Sequence, residues 1–228
     1  MSVSDLSSRT QDYLKVIWGL QEWSNAPVTP TRIAERVGVR LSTVSEAVRK
    51  LDEQGLVQHA RYGAITLTAV GRASALSMVR RHRLIEAFLA STLSYGWDEV
   101  HAEAEVLEHA VSDDLVNRIE AFLGSPTRDP HGDPIPSVDG ALDMPDVITL
   151  TDALPGQRVR IERVCDTDAD MLRFFETRGI VYGAKLQVLT KEPYAGSVVV
   201  QVDLDAEPAT LGVAASDALR VSALDRRA

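Results

Sequence analysis

The 228-residue chain is 45% apolar and 25% charged, carries a formal net charge of −9 and has one cysteine. That composition is average for soluble globular proteins and argues against a disordered, collagen-like or membrane-spanning chain, as no apolar run approaches the ~18 residues of a spanning helix. Cys165 stands alone, which excludes disulfide frameworks, Cys-rich zinc sites and thioredoxin-type pairs and leaves oxygen and imidazole for any metal chemistry.

The segment Met1–Asp12 has two acidic residues and no apolar h-region, so a cytoplasmic address is expected. The negative charge is unevenly spread. Residues 1–75 hold nine Lys/Arg against seven Asp/Glu, residues 76–145 five against thirteen, and residues 146–228 ten against thirteen. A mildly basic first third beside a sharply acidic middle suggests that one part meets a polyanion while another concentrates carboxylates for a different purpose.

In chain order, Leu6, Tyr13, Leu14, Ile17, Trp18 and Leu20 recur with the period of an amphipathic helix. Thr29 followed by Pro30 predicts an N-cap with proline at the first helical position, and Gly38 predicts the end of that short helix. A second short helix follows with Val44, Val48 and Leu51, with Thr43 and Glu46 at capping-box spacing and Gly55 closing it. Leu56–Ala60, the turn Arg61-Tyr62-Gly63 and Ala64–Thr68 then read as a β-hairpin, which makes the whole a winged helix-turn-helix. Ser42, Thr43, Ser45 and Glu46 sit at the end of the second helix where side chains meet base edges. Arg49, Lys50, Arg36, Arg40 and Arg61 surround that helix at positions suited to phosphate contacts. Two short helices around a glycine also occur in bundles with no DNA role, and each arginine alone could be a solvated charge.

Gly71–Leu93 and Trp97–Leu123 predict two longer helices, and the proline- and glycine-rich stretch Ser125–Pro145 reads as a loop and linker. From Val147 to Leu224 short apolar runs alternate with turns around one brief helix, Asp168–Arg178, which predicts a small β-barrel. The expected fold is therefore mainly α, with a winged helix-turn-helix at 1–73, a helical region at 74–142 and a small barrel at 147–228.

In the acidic third, His101, Glu105, Glu108 and His109 fall within about a turn and a half of one helix side, and His82 and Glu86 form an i,i+4 pair. Nitrogen and carboxylate donors without thiolate suit Mn, Fe or Zn. A solvated polar face is the plain alternative for any one of these residues, and a di-metal hydrolase is a competing use for the set. No Glu stands three residues before a histidine, as di-iron carboxylate oxidases require, and no nucleophilic triad or phosphate-cradling glycine loop is evident, so an enzyme is not expected.

Three strings carry a resemblance: Val79-Arg80-Arg81-His82-Arg83-Leu84-Ile85-Glu86, Glu105-Val106-Leu107-Glu108-His109-Ala110-Val111-Ser112-Asp113 and Pro130-His131-Gly132-Asp133-Pro134-Ile135-Pro136. In this order between a winged helix and a small barrel, the chain resembles the iron- and manganese-dependent repressors of the diphtheria toxin repressor type along nearly its whole length. The resemblance implies a helical dimerisation region, an SH3-like C-terminal domain, and a homodimer that binds palindromic double-stranded operator DNA when a divalent metal is bound, controlling metal homeostasis genes. It implies no small-molecule substrate and no membrane. The primary metal site is implied at Asp12, Glu105, Glu108 and His109. Iron-sensing members have Met and Cys at the first two positions and manganese-sensing members Asp and Glu, so Mn(II) is expected, with Fe(II) as the alternative. An ancillary site is implied at His82, Glu86 and His101 with Asp168 from the SH3-like domain, which gives two metals per subunit. Met171 departs from the family pattern at the second domain ligand, where Asp170 is the alternative. Short manganese sensors carry an acidic residue at the position of Lys15, so a tightly coupled two-metal cluster of their kind is not expected here.

Overall fold

The first helix, α1 (Ser8–Glu22), opens on Ser7, whose hydroxyl accepts from the Thr10 amide, and buries Tyr13, Leu14, Ile17 and Trp18. The structure, a computed structural model, describes residues 3–60, 63–192, 194, 196–202 and 207–224. Contacts gather the chain into two units that interleave along the sequence. The first comprises Met1–His82, Leu107–Arg118 and Pro136–Ala141, and the second Arg83–Val106, Ile119–Ile135 and Leu142–Ala228.

In the first unit, α2 (Pro30–Val37) starts at the Thr29 cap and stops at Gly38, whose φ of 71° is the left-handed conformation that glycine adopts without a Cβ penalty. The next helix, α3 (Leu41–Glu53), does not use the expected capping box. Arg40 is its N-cap and makes no side-chain cap bond; its carbonyl accepts from the amides of Thr43 and Val44 at 3.0 and 3.2 Å. The turn after Gly38 is so short that the helix has already begun at Leu41, which places Thr43 and Glu46 inside its first two turns. Leu56 N–H bonds back to the Leu51 carbonyl at 2.9 Å around Gly55, the Schellman closure expected of that glycine. The wing follows as β1 (Val57–His59) paired antiparallel with β2 (Ile65–Leu67), with Gln58 opposite Thr66. Thr68 then accepts from the Gly71 amide at the start of α4 (Ala69–Leu93). A Cβ on Gly71 would lie 1.8 Å from the Leu56 carbonyl oxygen, so glycine is what lets this long helix seat on the hairpin. Leu14, Ile17, Ile33, Val44, Val48, Leu56 and Ile65 are all buried in this unit.

The sequence predicts one helix over Trp97–Leu123, but the chain forms two, α5 (Val100–Leu107) and α6 (Asp113–Phe122). Apolar spacing runs on through the break, yet Ser112 accepts from the Leu115 amide at 3.2 Å, and Asp113 and Asp114 occupy the first turn, where a helix N-terminus favours negative charge. Glu108 and His109 consequently sit in the turn after α5 rather than on a continuous helix face.

In the second unit the strands are β3 (Ile148–Thr149), β4 (Arg158–Val164), β5 (Lys185–Glu192), β6 (Ser197–Val202), β7 (Ala209–Gly212) and β8 (Leu219–Ala223). They form one antiparallel sheet in the order β3-β8-β4-β5-β6-β7, the β-rich SH3-like domain expected. The helix α7 (Ala169–Glu176) falls where expected, capped by Asp168, and a short helix not anticipated, α8 (Val213–Asp217), links β7 to β8. Val159, Ile161, Leu186, Val188, Val198, Val200, Leu211 and Val221 alternate inward onto Leu172 and Phe175 of α7.

The stretch expected to be a linker has little regular structure but is not solvated. Asp129, His131 and Asp133 are buried, and Val164 N–H bonds to the His131 carbonyl at 2.9 Å beside a register shift between Ile161 and Arg163 of β4. A Cβ on Gly132, at φ 92°, would lie 2.3 Å from the Glu162 carbonyl, so the loop approaches the strand only because that residue is glycine. No helix among the described residues is long and apolar enough to cross a membrane.

Candidate metal centres and nucleic-acid interface

Asp12 of α1 and Glu108 and His109 of the post-α5 turn place one carboxylate oxygen or imidazole nitrogen each within 4.8 Å of one another, all in the first unit. Gln11 of α1 fixes the imidazole. Its side-chain amide donates to the Val3 and Leu6 carbonyls at 2.8 and 3.1 Å, so its oxygen must be what faces His109, and His109 Nδ1 donates to it at 2.7 Å. That assignment leaves Nε2 to face Asp12 Oδ1 at 2.9 Å. A ring lone pair and a carboxylate oxygen at this separation repel unless a proton or a metal ion lies between them. Hard oxygen donors with one imidazole suit Mn(II) and related ions, and His109 Nε2 lies 2.9 Å from Asp12 Oδ1 and 3.7 Å from Glu108 Oε1, within the roughly 4 Å across an ion with ~2.1 Å bonds, so the residues fit a first-row divalent cation.

Glu108 is fully buried. His82 Nδ1 donates to its Oε2 at 2.5 Å and Lys15 Nζ to its Oε1 at 2.6 Å. Burial alone would raise the carboxyl's pKa, but the hydrogen bond and charge of His82, with Lys15, hold it below the usual range. His82, expected in the ancillary set with Glu86 one turn further along α4, thus supports Glu108 in the first unit.

In the second unit Glu86 of α4, His101 of α5 and Asp166 of the β4–α7 loop also offer ligand atoms within 4.8 Å of one another. His101 Nδ1 is 3.2 Å from Glu86 Oε1 and 3.0 Å from Asp166 Oδ2, and its Nε2 is 3.7 Å from Glu105. Burial would push the imidazole down, yet hydrogen bonds to Asp166 and Glu86 and their charges raise its pKa to about 10. Asp166 is held well below the carboxylate range: burial opposes this, and the hydrogen bond and charge of His101 outweigh it. Asp168 caps α7 by accepting from the Met171 amide at 3.1 Å, Asp170 pairs with Arg173, and Met171 packs on the barrel core.

Glu86, Asp129 and His131 form a further buried group of possible ligands. His131 Nε2 donates to the Trp97 carbonyl at 2.6 Å, and its Nδ1 is buried and has no hydrogen-bond partner among the described residues. Burial first, then the charges of Asp133 and Glu86, push Asp129 well above the carboxylate range against the pull of Arg83. Asp133 meets Arg163 at 2.7 Å and Arg83 at 3.4 Å, and Arg83 also donates to the Pro134 carbonyl at 2.6 Å. Gln11, Asp129, His131, Asp133 and Asp166 were not among the residues singled out from sequence. All act through contacts distant in the chain, and the signal present was only that polar residues cluster in the Pro130–Pro136 string.

On the helix-turn-helix, Arg36, Arg40, Ser42, Ser45, Glu46, Arg49 and Lys50 are exposed and Thr43 is half-buried. Glu46 pairs with Lys50 at 2.8 Å and Arg49 with Glu53 at 2.6 Å, both at i,i+4. The hydrogen bond and charge of Lys50 lower the Glu46 pKa. Val39, just before α3, and Leu41, its first residue, are exposed apolar residues that no sequence motif marks. Arg61, expected at the wing tip, lies outside the described residues.

Three family models match the chain: "Iron dependent repressor, N-terminal DNA binding domain" over residues 5–65, "Iron dependent repressor, metal binding and dimerisation domain" over 68–137, and the FeoA domain over 148–223. The iron-dependent repressor IdeR of Mycobacterium leprae (strain TN) is 35% identical over 214 residues, 87% of this chain and 90% of that protein. The diphtheria toxin repressor of Corynebacterium diphtheriae is 36% identical over 157 residues, 69% of this chain and 67% of that protein. Among solved structures, a manganese-dependent transcriptional repressor in complex with manganese is 52% identical with a TM-score of 0.90, covering 94% of this chain and all of that one. The manganese regulator SloR is 34% identical with a TM-score of 0.79, covering 94% and 98%.

Proposed function

The chain belongs to the iron-dependent, or diphtheria toxin repressor, family of metal-dependent transcriptional repressors, and from that premise we propose that it answers to Mn(II). On this reading it binds a palindromic operator as a homodimer when loaded, carries two metals per subunit, and works in the cytoplasm on metal homeostasis genes. A di-metal hydrolase gives way to it, since the family is one of DNA-binding repressors.

The observation that carries the reading is that three of the four implied primary ligands, Asp12, Glu108 and His109, all nitrogen or carboxylate oxygen donors, gather in the same unit as the helix-turn-helix, whereas Glu105 lies by His101 in the second unit. Bound there, Mn(II) would supply two positive charges and directional coordination to these three side chains. Asp12 belongs to α1, which packs on α2, α3 and β2, so holding Asp12 against Glu108 and His109 holds the face that presents α3. Gln11 keeps His109 in the tautomer with Nε2 turned inward, and His82 keeps Glu108 oriented. Ser42, Thr43, Ser45 and Glu46 would then read base edges while Arg36, Arg40, Arg49 and Lys50 take phosphates. Glu86, His101 and Asp166 are the second candidate set, which would tie α4 and α5 to the β4–α7 loop. Exposed Val106 and Phe122, at 70% and 69%, support a dimer interface on the middle helices.

Fluorescence anisotropy on the protein's own promoter DNA, titrated with Mn(II) or anaerobic Fe(II) at fixed salt, tests the reading. Tight binding that Mn(II) brings and chelator reverses is expected; a preference for Fe(II) overturns the metal assignment, and indifference to metal overturns the regulator reading itself.

A further inference from the structure

Glu108 is a buried carboxylate whose two oxygens are both engaged. Oε2 takes His82 Nδ1 at 2.5 Å, and Oε1 takes Lys15 Nζ at 2.6 Å. Oε1 is also the oxygen that faces the candidate centre, 3.7 Å from His109 Nε2, which in turn lies 2.9 Å from Asp12. One oxygen thus serves both an ammonium and the position a metal ligand must occupy.

The geometry follows from α1. Asp12 and Lys15 are three residues apart, so they share a helix face, and the same turn that presents the carboxylate presents the ammonium beside it. Lys15 keeps only 15% of its side-chain exposure, so the pair is screened less than a surface ion pair. A lysine ammonium is a compact point charge on a flexible four-carbon stem, and unlike an arginine fork it can withdraw toward solvent without breaking a bidentate contact.

Resting on the reading of Asp12, Glu108 and His109 as a divalent-cation centre, we propose that Lys15 is the resident counter-ion of that centre: a tethered cation that competes with the metal for Glu108 Oε1 and so sets the concentration at which the site fills. No bond forms or breaks covalently; the ammonium exchanges its carboxylate partner for water as the divalent ion takes the oxygen. Lys15 is a specificity-determining residue rather than a ligand. It keeps the buried carboxylate neutralised when metal is scarce, and the cost of displacing it raises the filling threshold.

The test is a Mn(II) titration of chelator-stripped, full-length protein followed by the electron paramagnetic resonance signal of free Mn(II), in a His101→Ala background that silences the second cluster. Lys15→Met is expected to bind Mn(II) about tenfold more tightly than the parent, inside the roughly 5- to 150-fold range usual for coupled sites. The stripped Lys15→Met protein is expected to melt at a lower temperature than the parent, because Glu108 has lost its cation, and Mn(II) should recover the difference. Lys15→Arg, which keeps the charge and adds a fork that holds a carboxylate harder, is expected to bind Mn(II) no more tightly than the parent. A purely structural lysine would give the opposite pattern, with Lys15→Met losing stability and Mn(II) affinity together. Unchanged or weaker Mn(II) binding by folded Lys15→Met overturns the proposal; if that variant does not fold, Lys15→Gln carries the same expectation. His109→Ala separates the two claims. If it binds Mn(II) as well as the parent, the centre itself is misplaced and both readings fall, whereas if it loses binding and Lys15→Met does not gain any, only the role of Lys15 falls.

Discussion

The two carboxylate and histidine clusters use similar side chains but neutralise them differently. In the first unit, Asp12 and His109 keep 44% and 21% side-chain exposure, and the charge beside buried Glu108 is the ammonium of Lys15 on its flexible four-carbon stem. In the second, Glu86, Asp129, His131 and Asp133 are buried, and the balancing charges are protonated His101 and the guanidinium groups of Arg83 and Arg163, packed among them. A cluster with partly exposed ligands and a flexible lysine stem as its counter-charge suits exchange of an ion with solvent. A cluster whose counter-charges are fixed parts of the packing is part of what holds its unit together, and an ion entering it must displace a proton.

The largest effect should come from breaking the fixed side of that contrast. Asp133→Ala leaves Arg83 and Arg163 without their shared buried partner, and removing one member of such a buried pair costs about 3–5 kcal/mol. Urea unfolding of chelator-stripped protein should show that loss, and a change below about 1 kcal/mol would mean the network is solvated. In the first-unit cluster, Gln11→Leu removes the group that sets the His109 tautomer while leaving the ligands in place. Mn(II) affinity should fall about 10- to 100-fold, as for outer partners of metal ligands generally, and the lost bonds to the Val3 and Leu6 carbonyls should lower the melting temperature as well. An unaltered Mn(II) isotherm would remove Gln11 from the site.

A pH titration sharpens the comparison. The folded-state pKa of His101 lies at about 10, above the ~6.5 of an unfolded chain, so the proton favours the fold. That contribution is fully present below about pH 6.5 and lost as pH rises through about 10. The stability of stripped protein should therefore decline over this window, and His101→Phe should flatten the slope; an identical slope in the variant would place the titrating group elsewhere. The smallest effect is expected at the DNA face. Arg49 forms only an exposed pair with Glu53, so Arg49→Ala should leave stability within about 0.5 kcal/mol while lowering the salt slope of DNA binding by about 1. A steep loss confined to one operator sequence would instead make Arg49 a base reader.

Local chemistry made the DNA-binding half legible. The Thr29-Pro30 start, the left-handed Gly38 and Gly55 and the paired wing strands are signals complete within a few residues, and each appears where expected. The failures also have local causes. Apolar spacing through Val106, Leu107 and Val111 masked the Ser112-Asp113-Asp114 helix start, so Glu108 and His109 were expected on a continuous helix. In the string Asp166-Thr167-Asp168, the carboxylate nearer α7 is taken as its cap, and the earlier one turns to His101. The buried loop was illegible because proline and glycine mark turns whether or not a strand packs over them. The register shift in β4, the missing Cβ of Gly132 and the Val164–His131 backbone bond let Asp129, His131 and Asp133 lie inside. The sequence marks Lys15 only as a non-acidic residue, because its contact with Glu108 spans 93 residues of sequence.

The central claim is that the centre joining α1 to the Glu108–His109 turn governs how α3 meets DNA. Its most direct test is the anisotropy of Asp12→Ala on promoter DNA with and without saturating Mn(II), beside the unaltered protein at the same salt. The expected result is that Asp12→Ala remains folded and stays at the metal-free affinity whether or not Mn(II) is present, while the unaltered protein gains at least about tenfold, inside the range usual for coupled sites. A full Mn(II) response by Asp12→Ala would contradict the claim.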